Sequence, residues 1–195
     1  LAARFVNADT NCYDLGCSLG ATSLAMANSI GVENARVVAV DNAPAMLSRC
    51  REVIDHFNPD IPVTLMQGDI CDTLIENASM VVLNFTLQFI SLEKRSILLA
   101  NIFRGLNPGG CLVISEKIRI QPAALDQLMI DLHHQFKRSQ GYSDLEISQK
   151  REALENVLIP ETLDQHIDRL QRVGFDSATT WYQCYNFCSL VAIKS

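Results

Sequence analysis

Asp14, Asp41, Asp69 and Asn84 each stand at the end of a short apolar run, and each offers oxygen or amide groups to a polar ligand. The first lies in Cys12-Tyr13-Asp14-Leu15-Gly16-Cys17-Ser18-Leu19-Gly20, which leads into Ala21-Thr22-Ser23-Leu24-Ala25-Met26-Ala27. This pattern predicts a strand, a tight turn and a helix start that together hold an adenosine-containing cofactor. Gly16 lets the chain turn where a side chain would obstruct it. Cys17 and Ser18 keep the turn small, so backbone can approach a ligand. Dinucleotide-binding turns carry Gly where Ser18 stands. Asp41 follows the turn by about twenty residues, where a carboxylate can bind both ribose hydroxyls, a feature shared with dinucleotide enzymes. Asn42 beside it could face the adenine; the pair could equally cap the helix that Pro44 begins. Asp69, in Gly68-Asp69-Ile70, reads as a ligand contact or a turn residue. Asn84 reads as a ligand contact or a cap for the next helix.

The elements that must position these residues alternate. Strands are predicted at Asn11–Leu15, Arg36–Val40, 63–66, 79–84 and 111–116. The apolar run Val37-Val38-Ala39-Val40 suits a parallel strand buried on both faces. Helices are predicted over 22–29, 44–56 and 92–105, with a turn at Asn107-Pro108-Gly109-Gly110. This is the pattern of a doubly wound α/β sheet, in which ligands lie beyond the carboxyl ends of the strands. Residues from about 121 to 160 break the alternation with two helical patterns, 123–139 and 143–157. Leu125, Leu128, Met129, Leu132 and Phe136 recur at helical spacing and read as core or interface. The insertion is expected to form a cap over the site, a dimer surface, or both. A helix over 161–173 ends at Gly174, a good C-cap. Segments 177–183 and 187–194 form a terminal antiparallel pair.

The 195 residues suit one domain with a full core, spanning 1–195. A net charge of −6 argues against a large nucleic-acid-binding face. No run of about twenty apolar residues predicts a membrane span. Seven cysteines form no C-x-x-C, and Cys184 and Cys188 are poorly spaced for zinc in a single strand. Free thiols in a reducing cytoplasm and no metal are the expectation. The chain opens without Met or a signal peptide, in Leu1-Ala2-Ala3-Arg4-Phe5-Val6, read as the last turns of a helix whose preceding segment is missing.

The Cys12–Gly20 turn resembles motif I of the class I S-adenosylmethionine (SAM)-dependent methyltransferases. The resemblance implies a Rossmann-like, mostly parallel seven-stranded sheet with a C-terminal antiparallel hairpin. It also implies that Asp14 and the glycine turn hold the methionine part of SAM, and that Asp69 meets the adenine amino group. A closer resemblance rests on Asn77-Ala78-Ser79-Met80-Val81-Val82-Leu83-Asn84-Phe85-Thr86-Leu87-Gln88-Phe89, on Tyr142–Arg151, and on Leu154-Glu155-Asn156-Val157. These segments resemble the carboxy-S-adenosyl-L-methionine (carboxy-SAM) synthases, and the likeness covers essentially the whole chain.

That resemblance implies conversion of SAM and prephenate to carboxy-SAM and phenylpyruvate. A separate tRNA carboxymethyltransferase then uses carboxy-SAM at the wobble uridine. It further implies a homodimer and a ligand held by Gly16, Cys17, Ser18, Asp41, Asn42, Asp69, Ile70, Asn84 and Arg151. A family Tyr that contacts the cofactor falls before Leu1. Read from the residues alone, Arg151 is a helix-surface cation beside Glu146 or Glu155. The resemblance instead makes it the fork that binds the added carboxylate, through two parallel hydrogen bonds that Lys cannot reproduce. The implied chemistry is loss of carbon dioxide as the prephenate ring aromatises, proton removal from the SAM methyl, and capture of the carbon dioxide. A prephenate-derived carboxylate or the leaving hydroxide would take that proton. His133 and His134 read as structural. Two other functions share the fold: an ordinary small-molecule SAM methyltransferase, which has no use for Arg151, and a non-catalytic SAM-binding partner of a tRNA-modifying enzyme.

Overall fold

The computed structural model describes every residue except 156, and the side chains of 150, 151 and 153–155 lie outside its described residues. In chain order the elements are α1 (Ala2–Phe5), β1 (Asn11–Leu15), α2 (Ala21–Ala27), β2 (Arg36–Asp41), α3 (Pro44–Phe57), β3 (Val63–Gln67) and β4 (Ala78–Asn84). A 3-10 turn (Leu87–Phe89) and α4 (Leu92–Gly105) follow, then β5 (Leu106–Lys117), α5 (Ala123–Ser139), α6 (Asp144–Glu155), α7 (Leu163–Val173), β6 (Ser177–Cys184) and β7 (Phe187–Ile193).

The sheet has seven strands in the order β3-β2-β1-β4-β5-β7-β6. The first five run parallel, and β7 enters antiparallel between β5 and β6. Alternate residues of the central strands feed two cores, as the period of two requires. Leu15, Val40, Leu83, Ile114 and Leu190 face Leu98, Leu99, Ile102 and Leu170 of α4 and α7. Cys12, Val37, Met80, Val82 and Val113 face Ala2 of α1 and Met26 of α2. Each fully buried Leu or Ile contributes about 1.5–3 kcal/mol.

Three local differences from the sequence reading have physical causes. The glycine turn ahead of β5 is taken into that strand. Gly109 adopts φ +77 while its N–H bonds Lys194 O, and the β4–β5 register shifts between Ala78 and Met80. α7 begins at Leu163, because Thr162 and Gln165 form a capping box and leave Glu161 outside the helix. Cys184 and Cys188 stand on opposite strands of the terminal hairpin, the first exposed and the second buried.

α5 buries none of its residues. Leu125, Leu128 and Phe136 are therefore not core; each is close to half exposed, on an apolar face that the described residues leave open.

Candidate functional site

The turn after β1 is fixed by its backbone. Gly16 and Cys17 both donate to Val40 O at the end of β2, at 2.8 and 3.0 Å, and Gly20 N closes on Cys17 O. Gly16 sits at φ +84 and Ser18 at φ +49. Asp41 completes the turn: its Oδ2 accepts from Ser18 N at 2.8 Å and its Oδ1 from Ala43 N at 2.9 Å. A carboxylate oxygen has two lone pairs, so each Asp41 oxygen keeps acceptor capacity toward the cavity. Asp69 accepts from Cys71 N, and Gly68 N bonds Asp41 O, which draws the β2 and β3 ends together. The Asn84 amide donates to Thr22 Oγ1 at 3.0 Å, which orients its carbonyl oxygen.

These groups line a cavity of about 430 Å³ beyond the carboxyl ends of the parallel strands, with Gly16, Ser18, Asp41, Asn42, Gly68, Asp69, Ile70, Asn84, Phe85, Thr86, Phe89 and Ile90 around it. Small-molecule sites usually hold 300–1,000 Å³, so the space suits a nucleoside-sized ligand. A larger hollow of about 640 Å³ at the opposite ends of the strands, bordered by residues such as Glu76, Asn101 and Arg104, contains none of the predicted site residues.

Asp14 and Cys17 are placed differently from the rest. Asp14 is buried behind the turn, where its Oδ2 accepts from Ser23 Oγ at 2.6 Å. Its Oδ1 has no partner among the described residues. Burial pushes its carboxyl up to about 6, partly offset by the Ser23 bond. Cys17 turns inward against Ala39 and Leu47, and burial, then the nearby carboxylates, push its thiol far up. Both residues support the turn from below; neither lines the cavity. Arg151 belongs to α6, and its side chain falls outside the described residues. Of the two carboxylates considered as its partners, Glu146 accepts from Ser143 N and Oγ.

The wall formed by Phe85, Thr86, Phe89 and Ile90 is absent from the sequence-derived set. Their position directly after Asn84, at the end of a central parallel strand, is the signal that could have found them. Phe85 has φ +56, a strained conformation for a residue with a side chain. Its ring stacks edge-on against Phe187 at 5.9 Å, and His133 of α5 meets the same Phe187 at 4.8 Å. Tyr185 lies 5.8 Å from His133 and 6.0 Å from Phe136. This aromatic cluster joins the cavity rim, the β6–β7 turn and α5.

Glu116 anchors the same wall from behind. It is 1% exposed, and its two oxygens accept from Leu87 N and Gln88 N at 2.8 and 3.0 Å. Burial pushes its carboxyl up to about 8, with the backbone bonds and Arg95 pulling the other way. The donor set fits an adenosyl ligand: Asp41 has free lone pairs for hydroxyls, Asp69 can meet an amino group, and the glycine turn gives close backbone approach. Among the described residues no group of His, Cys, Asp and Glu could hold a metal ion. No described helix is long and apolar enough to cross a membrane.

Comparison with known proteins agrees with this architecture. The Methyltransferase domain family matches residues 13–110. Solved methyltransferase structures share the fold at low identity. The O-methyltransferase family 2 protein of Planctomyces limnophilus superposes with a TM-score of 0.71 at 16% identity, over 95% of this chain and 50% of that one. Human N-acetylserotonin methyltransferase, solved in complex with SAM, superposes with a TM-score of 0.66 at 16% identity, over all of this chain and 50% of that one. The carboxy-SAM synthases of Salmonella arizonae and Salmonella paratyphi C are each 53% identical over 195 residues, covering 100% of this chain and 79% of theirs. With that identity along its whole length, the chain belongs to the carboxy-S-adenosyl-L-methionine synthase family of the SAM-dependent methyltransferase superfamily.

Proposed function

We propose that the protein converts SAM and prephenate to carboxy-SAM and phenylpyruvate. The observation that carries this reading is 53% identity to carboxy-SAM synthases along the whole of this chain, joined to a cavity whose polar groups stand at four strand ends. The conversion balances with one water released. The carboxyl that leaves prephenate becomes the carboxyl of the product, and the ring hydroxyl departs with the proton displaced from the methyl group. When bound, SAM supplies a methyl group made acidic by its sulfonium.

The chain's own residues bind and orient. Asp41 and Asn42 hold the ribose and adenine side, Asp69 and Ile70 the adenine, and Gly16 and Ser18 the methionine side, with Asp14 and Cys17 beneath. Asn84 stands at the reacting end. Arg151 holds the new carboxylate as a two-pronged guanidinium donor, which ordinary methyl transfer does not need. The cluster of Phe85, His133 and Phe187 offers apolar ring faces for the ring of prephenate, and closing α5 over it excludes water. The protein acts as a homodimer, a reading supported by the open apolar face of α5. Its product supplies a tRNA carboxymethyltransferase at the wobble uridine. A cytoplasmic location is supported by seven free thiols, several held well above their ordinary range by burial.

The test is mass spectrometry of the products formed from SAM with and without prephenate. A species heavier than SAM by one carbon dioxide, appearing only with prephenate, is expected. Turnover confined to S-adenosylhomocysteine would return the chain to ordinary methyl transfer. No turnover, with tight association to a second protein, would favour a SAM-binding partner.

A further inference from the structure

Arg95, on α4, is 0% exposed, and its guanidinium reaches two distant segments at once. On one side Nε donates to Ile90 O at 2.9 Å and Nη2 to Gln88 O at 3.3 Å. Ile90 and the intervening Phe89 line the cofactor cavity. On the other side Nη2 donates to Ile159 O at 2.7 Å and Nη1 pairs with Glu161. These residues end the insertion that carries α5 and α6. The two segments also touch directly, Ile159 N donating to Gln88 O at 2.9 Å.

Glu161 is shared. Its other oxygen pairs with Arg169 of α7, and its backbone carbonyl accepts from Arg119 N, where the insertion begins. Arg119 and Thr162 form a parallel bridge, so the outgoing and returning roots of the insertion meet here. The carboxyl of Glu161 stays below its ordinary range, because Arg169 and Arg95 outweigh the effect of burial. A buried ion pair is weak support for stability, since an apolar replacement of equal volume is often as stable. This one directs its donors to four acceptors in two segments, one bordering the cavity and the other at the root of the insertion.

We infer that Arg95 is a positioning residue for carboxy-SAM formation: its guanidinium locks the cavity wall at Gln88–Ile90 to the root of the α5–α6 insertion at Ile159–Glu161. It acts through these segments and touches no substrate. The inference rests on the function proposed above. Its consequence is that cofactor wall and cap keep one fixed spacing. Lys in its place keeps the charge but lacks the planar fork, so it cannot hold both segments.

The test compares wild type, Arg95→Lys and Glu161→Gln as full-length purified chains. Three measurements are made: carboxy-SAM formation at 25 °C, SAM affinity by calorimetry, and amide hydrogen exchange. In Arg95→Lys, exchange should rise together at 87–90 and 157–162 while β1 and β2 stay protected. SAM affinity should fall by at most about threefold, and kcat with prephenate by about 100-fold, the size expected for a misplacement near 1 Å. Glu161→Gln should shift the same quantities in the same direction, and serves if the lysine variant does not fold. Lowered thermal stability with kcat and KM within about twofold of wild type would reduce Arg95 to a structural role and overturn the inference. If the wild type makes no carboxy-SAM, the functional reading falls; exchange that then rises at only one of the two segments overturns the coupling as well.

Discussion

Thr86 leans onto the bare Cα of Gly16 so closely that a Cβ at Gly16 would lie 2.5 Å from both its Cγ2 and its Oγ1. The first glycine of the turn and the wall after β4 thus meet at one point. Gly16→Ala adds this clash to the cost of holding φ +84 with a side chain, about 1–2 kcal/mol for the backbone alone. SAM affinity is expected to fall at least tenfold. Adding Thr86→Ala should recover part of the loss, since it relieves the clash and leaves the backbone cost. Calorimetric titration of SAM into the three proteins checks this; full recovery would mean that the backbone conformation carries no cost.

Asp41 should respond even to an isosteric change. Each of its oxygens accepts one backbone N–H, from Ser18 and Ala43. Asp41→Asn turns an NH2 toward one of those donors and leaves it unmatched, at about 1–3 kcal/mol. Loss of both SAM affinity and denaturation free energy is expected. Unchanged affinity would remove Asp41 from the ribose site.

Arg151→Ala should leave SAM binding within about threefold and reduce carboxy-SAM formation by two orders of magnitude or more, as two charge-assisted bonds of about 1.5–3 kcal/mol each are lost. Arg151→Lys should recover little of it. Initial rates with prephenate varied at saturating SAM decide the matter, and wild-type rates in either variant would return Arg151 to the helix surface.

Glu116 predicts a pH dependence. Its carboxyl titrates at about 8 in the fold, against 4.5 when unperturbed. Folding therefore takes up a proton between those values. The stability this provides is full below 4.5 and is lost as pH rises through 8, with a slope of up to about 1.4 kcal/mol per pH unit. His166, held down to about 4 from 6.5 by burial, acts in the opposite sense at lower pH. Burial raises six thiols above their ordinary value, and these add a loss of the same sign as pH nears 8, so the interval from 6.5 to about 7.5 isolates Glu116. Urea unfolding across that interval should show wild type losing stability with rising pH, and Glu116→Gln should lack that slope.

Phe187→Ala is expected to raise the KM for prephenate several-fold with little change for SAM, because its ring joins Phe85 to His133 at the edge of the cavity. Equal changes for both substrates would assign the cluster to general packing.

Most of the frame was legible in the sequence because local pattern fixes it. Val37–Val40 reads as a buried parallel strand from its unbroken apolar run, and it is one. Pro44 marks the start of α3 because its ring presets the first helical residue. The cavity was legible only at and beside the strand ends, at Gly16, Ser18, Asp41, Asn42, Asp69, Ile70 and Asn84. That Asp14 and Cys17 turn beneath the floor depends on how the turn closes on Val40, which spacing does not reveal. The Arg95–Glu161 pair spans 66 positions and is set by where the insertion returns, so no local pattern carries it. α5 shows the opposite failure: helical periodicity predicted its apolar face correctly and left open whether anything in the same chain covers it.

The place of β7 has a consequence for biosynthesis. The strand is made after β1 to β6, yet it lies inside the sheet, bonded on both sides, and Lys194 just beyond it donates to the carbonyls of Phe103 and Leu106. The residues that line the candidate cavity leave the ribosome earlier, between positions 16 and 90. A nascent chain therefore owns its ligand-binding half while β5 is still an open edge, able to pair with any passing strand until residues 187–193 arrive. Early occupation by ligand would steady that half-built sheet during the wait, tying yield in the cell to the supply of SAM.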